Sequence, residues 1–209
     1  MMNAHTKETQ AAMTARSAVE ELKKGNRRYV EGSQVNRDLM LQVGQTSTGQ
    51  YPFATILSCI DSRVSAELVF DQGVGDIFSV RIAGNFVNSD ILGSMEFACK
   101  LAGTKVIVVM GHTACGAVKG ACDHAELGNL TGMLDNILPA VDAVKEPAEA
   151  ENRTSANSAF VNEVSKVNVE MTIERIRKES PVLAEMEQNG EIEIVGAMYD
   201  INNGEVTFY

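Results

Sequence analysis

The sequence predicts an α/β fold built on a parallel sheet, and three observations support this prediction. Two apolar runs, residues 53–57 and 106–110, each lead into a short turn that carries polar side chains. Each turn is followed by a segment with helical periodicity. The repeated order of strand, turn and helix is typical of parallel strands joined by crossover helices. We therefore expect the two turns to meet at one edge of the sheet, where such folds bind their ligands.

Composition and charge limit the functions that the chain can have. It has 209 residues, of which 44% are hydrophobic and 22% charged, and its net charge is −10. This balance fits one domain spanning residues 1–209. The negative charge disfavours nucleic acid or an anionic membrane surface as the main partner. No apolar run reaches the ~18 residues of a membrane helix and no signal core is present, so we expect a cytoplasmic protein unless a leader has been removed.

The N-terminal region, residues 1–49, is predicted to be a helical arm ahead of an α/β core at residues 50–209. From residue 14 onwards, apolar side chains recur on one face of a helix that ends at Gly32 and Ser33. Residues 39–49 are less regular and end in a turn. The apolar stripe of the arm has to be buried, either on the chain's own sheet or on a neighbouring subunit.

The elements of the core follow in an alternating order. Strands are predicted at residues 53–58, 76–82, 105–110 and 192–196, and a C-terminal hairpin at residues 202–209. Helices are predicted at residues 65–71, 90–102, 113–121, 134–145 and 160–176, with a short one from Pro181. The helix at 134–145 is expected to bend or restart at Pro139. Residues 146–158 are predicted to be a polar connector.

Two motifs combine the donor groups that bind zinc. Residues 59–63 read Cys-Ile-Asp-Ser-Arg after the first strand, and residues 111–116 read Gly-His-Thr-Ala-Cys-Gly after the third. Two thiolates and one imidazole, from Cys59, His112 and Cys115, are a donor set that Zn²⁺ prefers. Three protein ligands leave one position for water, as in catalytic zinc sites. We expect His112 and Cys115, three residues apart, to share one side of the first turn of a helix.

Asp61 is the fourth candidate ligand, and its role has two alternatives. It can pair with Arg63 and leave the fourth position to water, or it can bind the metal itself and close the site. In the first case, it would accept the hydrogen bond of a zinc-bound hydroxide and orient it. Zinc lowers the pKa of bound water from 15.7 to about 7, which provides a nucleophile for a small electrophile. A structural zinc with four ligands, or an ordinary Asp61–Arg63 salt bridge, remain the competing interpretations.

The other two cysteines are not predicted to be ligands. Cys99 lies in an apolar helix and is predicted to be a core residue. Cys122 and His124 follow the helix of the second motif, where we expect a surface position.

The quoted residues resemble the motifs of the β-class carbonic anhydrases. The resemblance extends from about residue 22 to the end of the chain, through Phe-Ser-Val-Arg-Ile-Ala-Gly-Asn at 78–85, Glu-Phe-Ala at 96–98 and Tyr-Asp-Ile at 199–201. It implies a four-stranded parallel sheet with an added antiparallel C-terminal strand, helices on both faces and an N-terminal arm that packs on a partner subunit. The implied activity is that of a carbonate dehydratase, a lyase that hydrates CO₂ reversibly to bicarbonate and a proton by zinc-bound hydroxide.

The resemblance also implies roles for individual residues and for subunits. Cys59, His112 and Cys115 match the ligands of one Zn²⁺ per subunit. Asp61 and Arg63 match the catalytic pair, with Asp61 as an alternate fourth ligand in a closed state. The expected assembly is a homodimer or a homotetramer.

The implied substrate pocket is apolar. Phe78, Ala83, Phe97 and Gly116 match its positions, some of them contributed across a dimer interface. Phe97 replaces a tyrosine and Ala83 replaces a valine that are common there. Gln50 matches a glutamine that, in one subgroup, donates a hydrogen bond to a substrate oxygen.

A second subgroup, inhibited by bicarbonate, carries a tryptophan three residues before its first cysteine. Ile56 stands at that position here, and the chain has no tryptophan. Together with Gln50, this predicts an open site with water on zinc at neutral pH. Two rival functions are a hydrolase of carbon disulfide or carbonyl sulfide and a zinc-sensing or scaffold protein without enzymatic activity.

Overall fold

The computed structural model describes residues 3–209 and contains one sheet with the strand order β2-β1-β3-β4-β5. The strands are β1 (Ala54–Ser58), β2 (Ile77–Arg81), β3 (Val106–His112), β4 (Glu193–Tyr199) and β5 (Val206–Phe208). The first four strands are parallel, and β5 runs antiparallel to β4. The predicted fold class is therefore confirmed, including the antiparallel strand at the C-terminus.

Helices connect the strands and cover both faces of the sheet. They are α1 (Lys7–Ala11), α2 (Ala15–Val30), α3 (Leu39–Thr46), α4 (Ala66–Val69), α5 (Ser89–Glu96), α6 (Gly116–Cys122), α7 (Gly128–Leu134), α8 (Leu138–Ala143), α9 (Ser158–Glu179) and α10 (Pro181–Gln188). A π-helical turn, Phe97–Leu101, continues α5, and a 3₁₀ turn, Ala150–Asn152, lies between α8 and α9. Within residues 3–209, no helix is both long and apolar enough to cross a membrane.

The central strands are apolar on both faces because both faces are covered. Every residue of β1 and β3 is buried. Ile56 and Val108 face α2 and α4, whereas Leu57 and Val109 face α5, α9 and α10. Continuous apolar strands of this kind are typical of parallel sheets between two helical layers.

The N-terminal arm is partly anchored on its own core. Helix α2 buries Ala18 and Leu22 against the sheet, and the Gln10 side chain donates hydrogen bonds to the carbonyls of Pro52 and Ala102. Helix α3, in contrast, exposes its apolar residues Leu39, Met40, Leu41 and Val43. Packing of the arm on a partner subunit stays a prediction, and residues 1 and 2 of the predicted arm lie outside the described residues.

The second motif differs from its predicted conformation. The expected helix start at residue 113 is wrong, because β3 continues through His112, which pairs with Tyr199 of β4. Ala114 then adopts a left-handed conformation, with φ 54°, and α6 begins at Gly116. His112 therefore projects from a strand end, and Cys115 lies at the N-cap of α6. The two candidate ligands converge through a tight turn rather than along one helical face.

Two further predictions have different outcomes. The expected restart at Pro139 is confirmed, since α7 ends at Leu134 and α8 begins at Leu138, although α8 is shorter than predicted and ends at Ala143. Pro139 lies in the first turn of α8, where its missing N–H leaves no helical hydrogen bond unmade. Cys122, expected at the surface, is buried in the cluster between α6, α8 and α9. Cys99 is buried as predicted.

The close packing of α2 on α4 yields a stability prediction. A Cβ added to Gly25 would lie 1.8 Å from the carbonyl oxygen of Phe70, whereas one added to Gly44 meets nothing within 4 Å. We expect Gly25→Ala to lower the free energy of unfolding by about 1–3 kcal/mol because the backbone must move. Gly44→Ala, the control, should raise it by about 0.5–1 kcal/mol through helix propensity. Urea unfolding measures both, and equal effects at the two positions would contradict this account.

Candidate metal centre

Strand register brings the two motifs to one edge of the sheet. Strands β1 and β3 are neighbours, with Ser58 opposite Met110. Cys59 directly follows β1, and His112 ends β3 two residues beyond Met110. The carboxyl ends of parallel strands form the usual ligand site of such folds. The structure therefore places the two motifs together as predicted.

The donor atoms of Cys59, His112 and Cys115 lie within 4.8 Å of one another, and all three side chains are buried. The two sulfur atoms are 3.9 Å apart. With Zn–S bonds of about 2.3 Å and a tetrahedral angle, two thiolates on one zinc would be separated by about 3.8 Å. The spacing of the sulfur atoms thus fits a shared metal ion and exceeds a disulfide bond of about 2.0 Å.

One ring nitrogen of His112 is hydrogen-bonded, and the other is available to a ligand. Its Nδ1 lies 2.9 Å from the carbonyl oxygen of Thr113, so the proton on Nδ1 is donated to that carbonyl and Nε2 keeps its lone pair. Nε2 is buried and has no hydrogen-bond partner among residues 3–209. A buried polar atom without a partner is costly unless a ligand satisfies it. A metal ion between His112 and the two thiols would do so.

The electrostatics of the thiol pair also favour a cation. A hydrogen bond from Cys115 lowers the pKa of Cys59, and the backbone N–H of Gly84 adds a weaker contact to the same sulfur at 3.4 Å. The same hydrogen bond to Cys59 raises the pKa of Cys115. Two buried thiolates repel each other, so the second one ionises readily when a positive charge lies between them.

Asp61 and Arg63 form an ion pair beside the three donors. The Arg63 guanidinium donates to both carboxylate oxygens, at 2.9 and 2.8 Å, and its backbone N–H donates to Oδ1 at 3.0 Å. These hydrogen bonds hold the pKa of Asp61 well below its usual range. Asp61 Oδ2 lies 3.9 Å from His112 Nε2, so the carboxylate borders the position that the three donors leave open.

Arg81 and Gly84 support this arrangement, although the sequence interpretation assigned them no role in the site. The Arg81 side chain donates to the carbonyl oxygens of Cys59 and Asp61, at 3.0 and 2.7 Å. Gly84 has φ 77°, and a Cβ there would lie 2.4 Å from Ile137. Two sequence signals could have pointed to these residues: an arginine at the end of an apolar strand, and the Ala-Gly-Asn turn that follows it.

The remaining predicted residues lie in less enclosed positions. Gln50 is exposed, and Ala83 and Gly116 are partly or largely exposed. The rings of Phe78 and Phe97 contact each other edge to face, with centroids 6.3 Å apart, along a surface groove of about 770 Å³ beside β2. About half of the Phe97 surface is exposed. The roles assigned to these five residues stay predictions.

Comparison with known proteins identifies what the chain resembles. A family model described as "Carbonic anhydrase" matches residues 54–206. "Carbonic anhydrase 2" of Mycobacterium tuberculosis is 36% identical over 185 residues, which cover 88% of this chain and 87% of that protein. A carbonic anhydrase of Mycolicibacterium smegmatis is 34% identical and covers 88% of each chain. The solved structure of the β-carbonic anhydrase CcaA superposes with a TM-score of 0.71 at 26% identity, covering 93% of this chain and 94% of that one.

Removal of the Arg81 side chain should loosen the first motif. In Arg81→Met the carbonyls of Cys59 and Asp61 lose their donors, and we expect the free energy of unfolding to fall by about 1–3 kcal/mol. Arg16→Met is the control, because Arg16 is exposed on α2. Thermal and urea unfolding of the metal-free proteins measure the difference. Unchanged stability in Arg81→Met would show that these hydrogen bonds do not hold the loop.

Proposed function

This chain belongs to the β-class carbonic anhydrases and is an enzyme of that family; we propose that it hydrates CO₂ reversibly with one Zn²⁺ bound per subunit. The observation that carries the proposal is the buried set of donors from Cys59, His112 and Cys115. Their spacing, and the unpartnered Nε2 of His112, support zinc ligation. Bound zinc supplies Lewis acidity, which lowers the pKa of water from 15.7 to about 7 and provides a nucleophile near neutral pH.

Asp61 acts on the proton of that nucleophile. Its carboxylate remains ionised at neutral pH because Arg63 holds its pKa below the usual range. An ionised carboxylate accepts a hydrogen bond and cannot donate one, so it selects and orients a group that carries a proton. With Arg63 bound to both of its oxygens, Asp61 already has partners for its charge and does not need the metal as one. This supports the open arrangement, with Asp61 as a fourth ligand in a closed alternative.

The surrounding arginines keep the carboxylate in place. Arg63 is about half exposed, so its ion pair with Asp61 lies at the solvent side of the site. Arg81 fixes the backbone on either side of Ile60 through two carbonyl oxygens. Positioning of this kind reduces the reorganisation that the reaction would otherwise require.

CO₂ is small and apolar, so its binding site needs an apolar wall and few polar groups. We assign that wall to Phe78, Ala83, Phe97 and Gly116. Gln50 is assigned the hydrogen bond to a substrate oxygen, on which negative charge develops as CO₂ becomes bicarbonate. The exposure of Phe97 and Gln50 is consistent with completion of the pocket by another subunit.

We therefore propose a homodimer as the smallest active unit, with a homotetramer as the larger alternative. Apolar side chains exposed in the single chain support this assembly, among them Met40 on α3 and Leu101 in the π-helical turn. Exposed apolar surface of this kind is typical of protein interfaces. Location in the cytoplasm stays a prediction from sequence.

Stopped-flow CO₂ hydration on protein of measured zinc content tests the function. We expect about one zinc per chain and a rate that rises between pH 6 and pH 9, because the nucleophile is the deprotonated form of a group with a pKa near 7. Asp61 does not contribute to this rise, since its lowered pKa keeps it ionised throughout that range. The proposal would be overturned if zinc-replete protein did not raise the rate of CO₂ hydration above the uncatalysed rate at alkaline pH.

Substitutions separate metal binding from catalysis. Cys59→Ser and His112→Ala should lose zinc, because each removes one of three donors. Asp61→Ala should keep zinc but lower kcat/KM by about 10²–10⁴-fold, as expected for loss of a group that handles a proton. Asp142→Ala, at an exposed site on α8, is the control. Full activity with retained zinc in either ligand variant would be incompatible with the assignment.

A further inference from the structure

Helix α9 contacts the turn between two of the proposed metal ligands and the loop whose backbone contacts the third. The Asn162 Oδ1 accepts a hydrogen bond from the backbone N–H of Ala114, at 2.9 Å. The Asn168 Nδ2 donates to the carbonyl oxygen of Gly84, at 2.8 Å. The two backbone partners fix the orientation of both amides, because an N–H requires an oxygen and a carbonyl requires an N–H. One helix thus makes an opposite type of bond to each loop.

The Asn162 contact controls the turn between two ligands. Ala114 lies between His112 and Cys115 and is left-handed, with φ 54°. A left-handed conformation costs about 1 kcal/mol or more for a residue with a Cβ and persists where its surroundings enforce it. The hydrogen bond to Asn162 is such a restraint. It holds the N–H of the turn in the orientation that directs Cys115 towards His112.

The Asn168 contact acts on the third ligand through Gly84. The Gly84 N–H donates to the sulfur of Cys59 at 3.4 Å, and the Gly84 carbonyl oxygen accepts a hydrogen bond from Asn168. Ile137 packs so closely that a Cβ on Gly84 would lie 2.4 Å from it. The glycine is therefore held on one side by Ile137 and on the other by Asn168. Both contacts restrain the residue whose N–H reaches the sulfur.

Helix α9 is suited to this task because one of its faces is packed in the core. Val161, Val164 and Val169 are buried completely against β3, α6 and α8. Asn162 and Asn168 are six residues apart, which is about 9 Å along a helix. Asn168 is buried although it is polar, with 3% of its surface exposed. A buried amide on an apolar face is costly unless its hydrogen bonds serve the structure around it.

We propose that Asn162 and Asn168 are positioning residues that set the geometry of the metal centre by fixing the turn at Ala114 and the N–H of Gly84. The inference rests on the proposed zinc site, since it concerns how ligands are held for the ion. Groups behind metal ligands typically change metal affinity or activity by about 10–100-fold when they are removed.

The test measures zinc dissociation constants of the full chain by competition with a chromophoric chelator, with zinc alone as the probe. Asn162→Leu and Asn168→Leu keep the branched shape of the side chain but remove the hydrogen bonds, and we expect zinc to bind about 10–100-fold more weakly in each. Asn162→Asp keeps the acceptor for Ala114 and should bind zinc at least as tightly as the wild type. Ser165→Ala is the control, because the buried Ser165 hydroxyl bonds within α9 itself to Val161.

A spectroscopic readout isolates the contact to sulfur. With Co²⁺ in place of zinc, loss of the N–H to Cys59 in Asn168→Leu should move the thiolate-to-metal charge-transfer band to longer wavelength. The band should stay in place in Ser165→Ala. If Asn168→Leu does not fold, the Asn162 pair still decides the question, because that side chain is less buried.

The outcomes separate the two proposals. Wild-type affinity in both leucine variants would overturn the positioning role while leaving the zinc site intact. Equal weakening in Asn162→Leu and Asn162→Asp, or in Ser165→Ala, would also overturn it, because loss of the hydrogen bond would then not be the cause. A wild-type chain that binds no zinc would overturn the proposed function itself.

Discussion

The burial of two thiols and an imidazole within 4.8 Å of one another is the constraint on which the site depends. Two thiolates at this distance repel each other in an apolar environment, and His112 Nε2 has no hydrogen-bond partner in the described chain. A divalent cation resolves both problems at once. Cys59 and Cys115 lie in the apolar cluster formed by α6, α8 and the first half of α9, which keeps competing water away from the sulfur atoms. The same burial that makes the metal-free cluster unfavourable therefore favours the metal-bound one.

Charge is distributed in two layers around this centre. The inner layer is the thiol pair, whose two pKa values are shifted in opposite directions by their mutual hydrogen bond. The outer layer is the carboxylate of Asp61, neutralised by Arg63 and connected through its backbone to Arg81. A carboxylate whose charge is already balanced has less tendency to bind a neighbouring cation. In the proposed site, this balance would allow the carboxylate, 3.9 Å from His112 Nε2, to leave the neighbouring position to another ligand.

Strand pairing in the sheet positions the residues of the site, and long-range hydrogen bonds add to this positioning. Pairing of His112 with Tyr199 extends β3 to the candidate ligand itself, so the imidazole projects from the paired end of a central strand. Loops 59–61 and 113–115 are less regular, and each is held by a side chain from elsewhere, Arg81 for the first and Asn162 for the second. Ligand geometry therefore depends on residues far away in the sequence.

The sequence by itself determined the fold class and identified the donors and the Asp61–Arg63 pair. These features are local: apolar runs of strand length, glycine and proline at element ends, and ligand types at fixed spacing. It did not predict that His112 would end a strand, that a separate helix would span Gly128–Leu134, or that Cys122 would be buried. Only the tertiary structure decided these points, together with the contacts of Arg81, Asn162 and Asn168. The physical reason is that strand pairing, burial and side-chain bonds to distant backbone depend on which segments meet in space, and such meetings leave no periodic pattern in the chain.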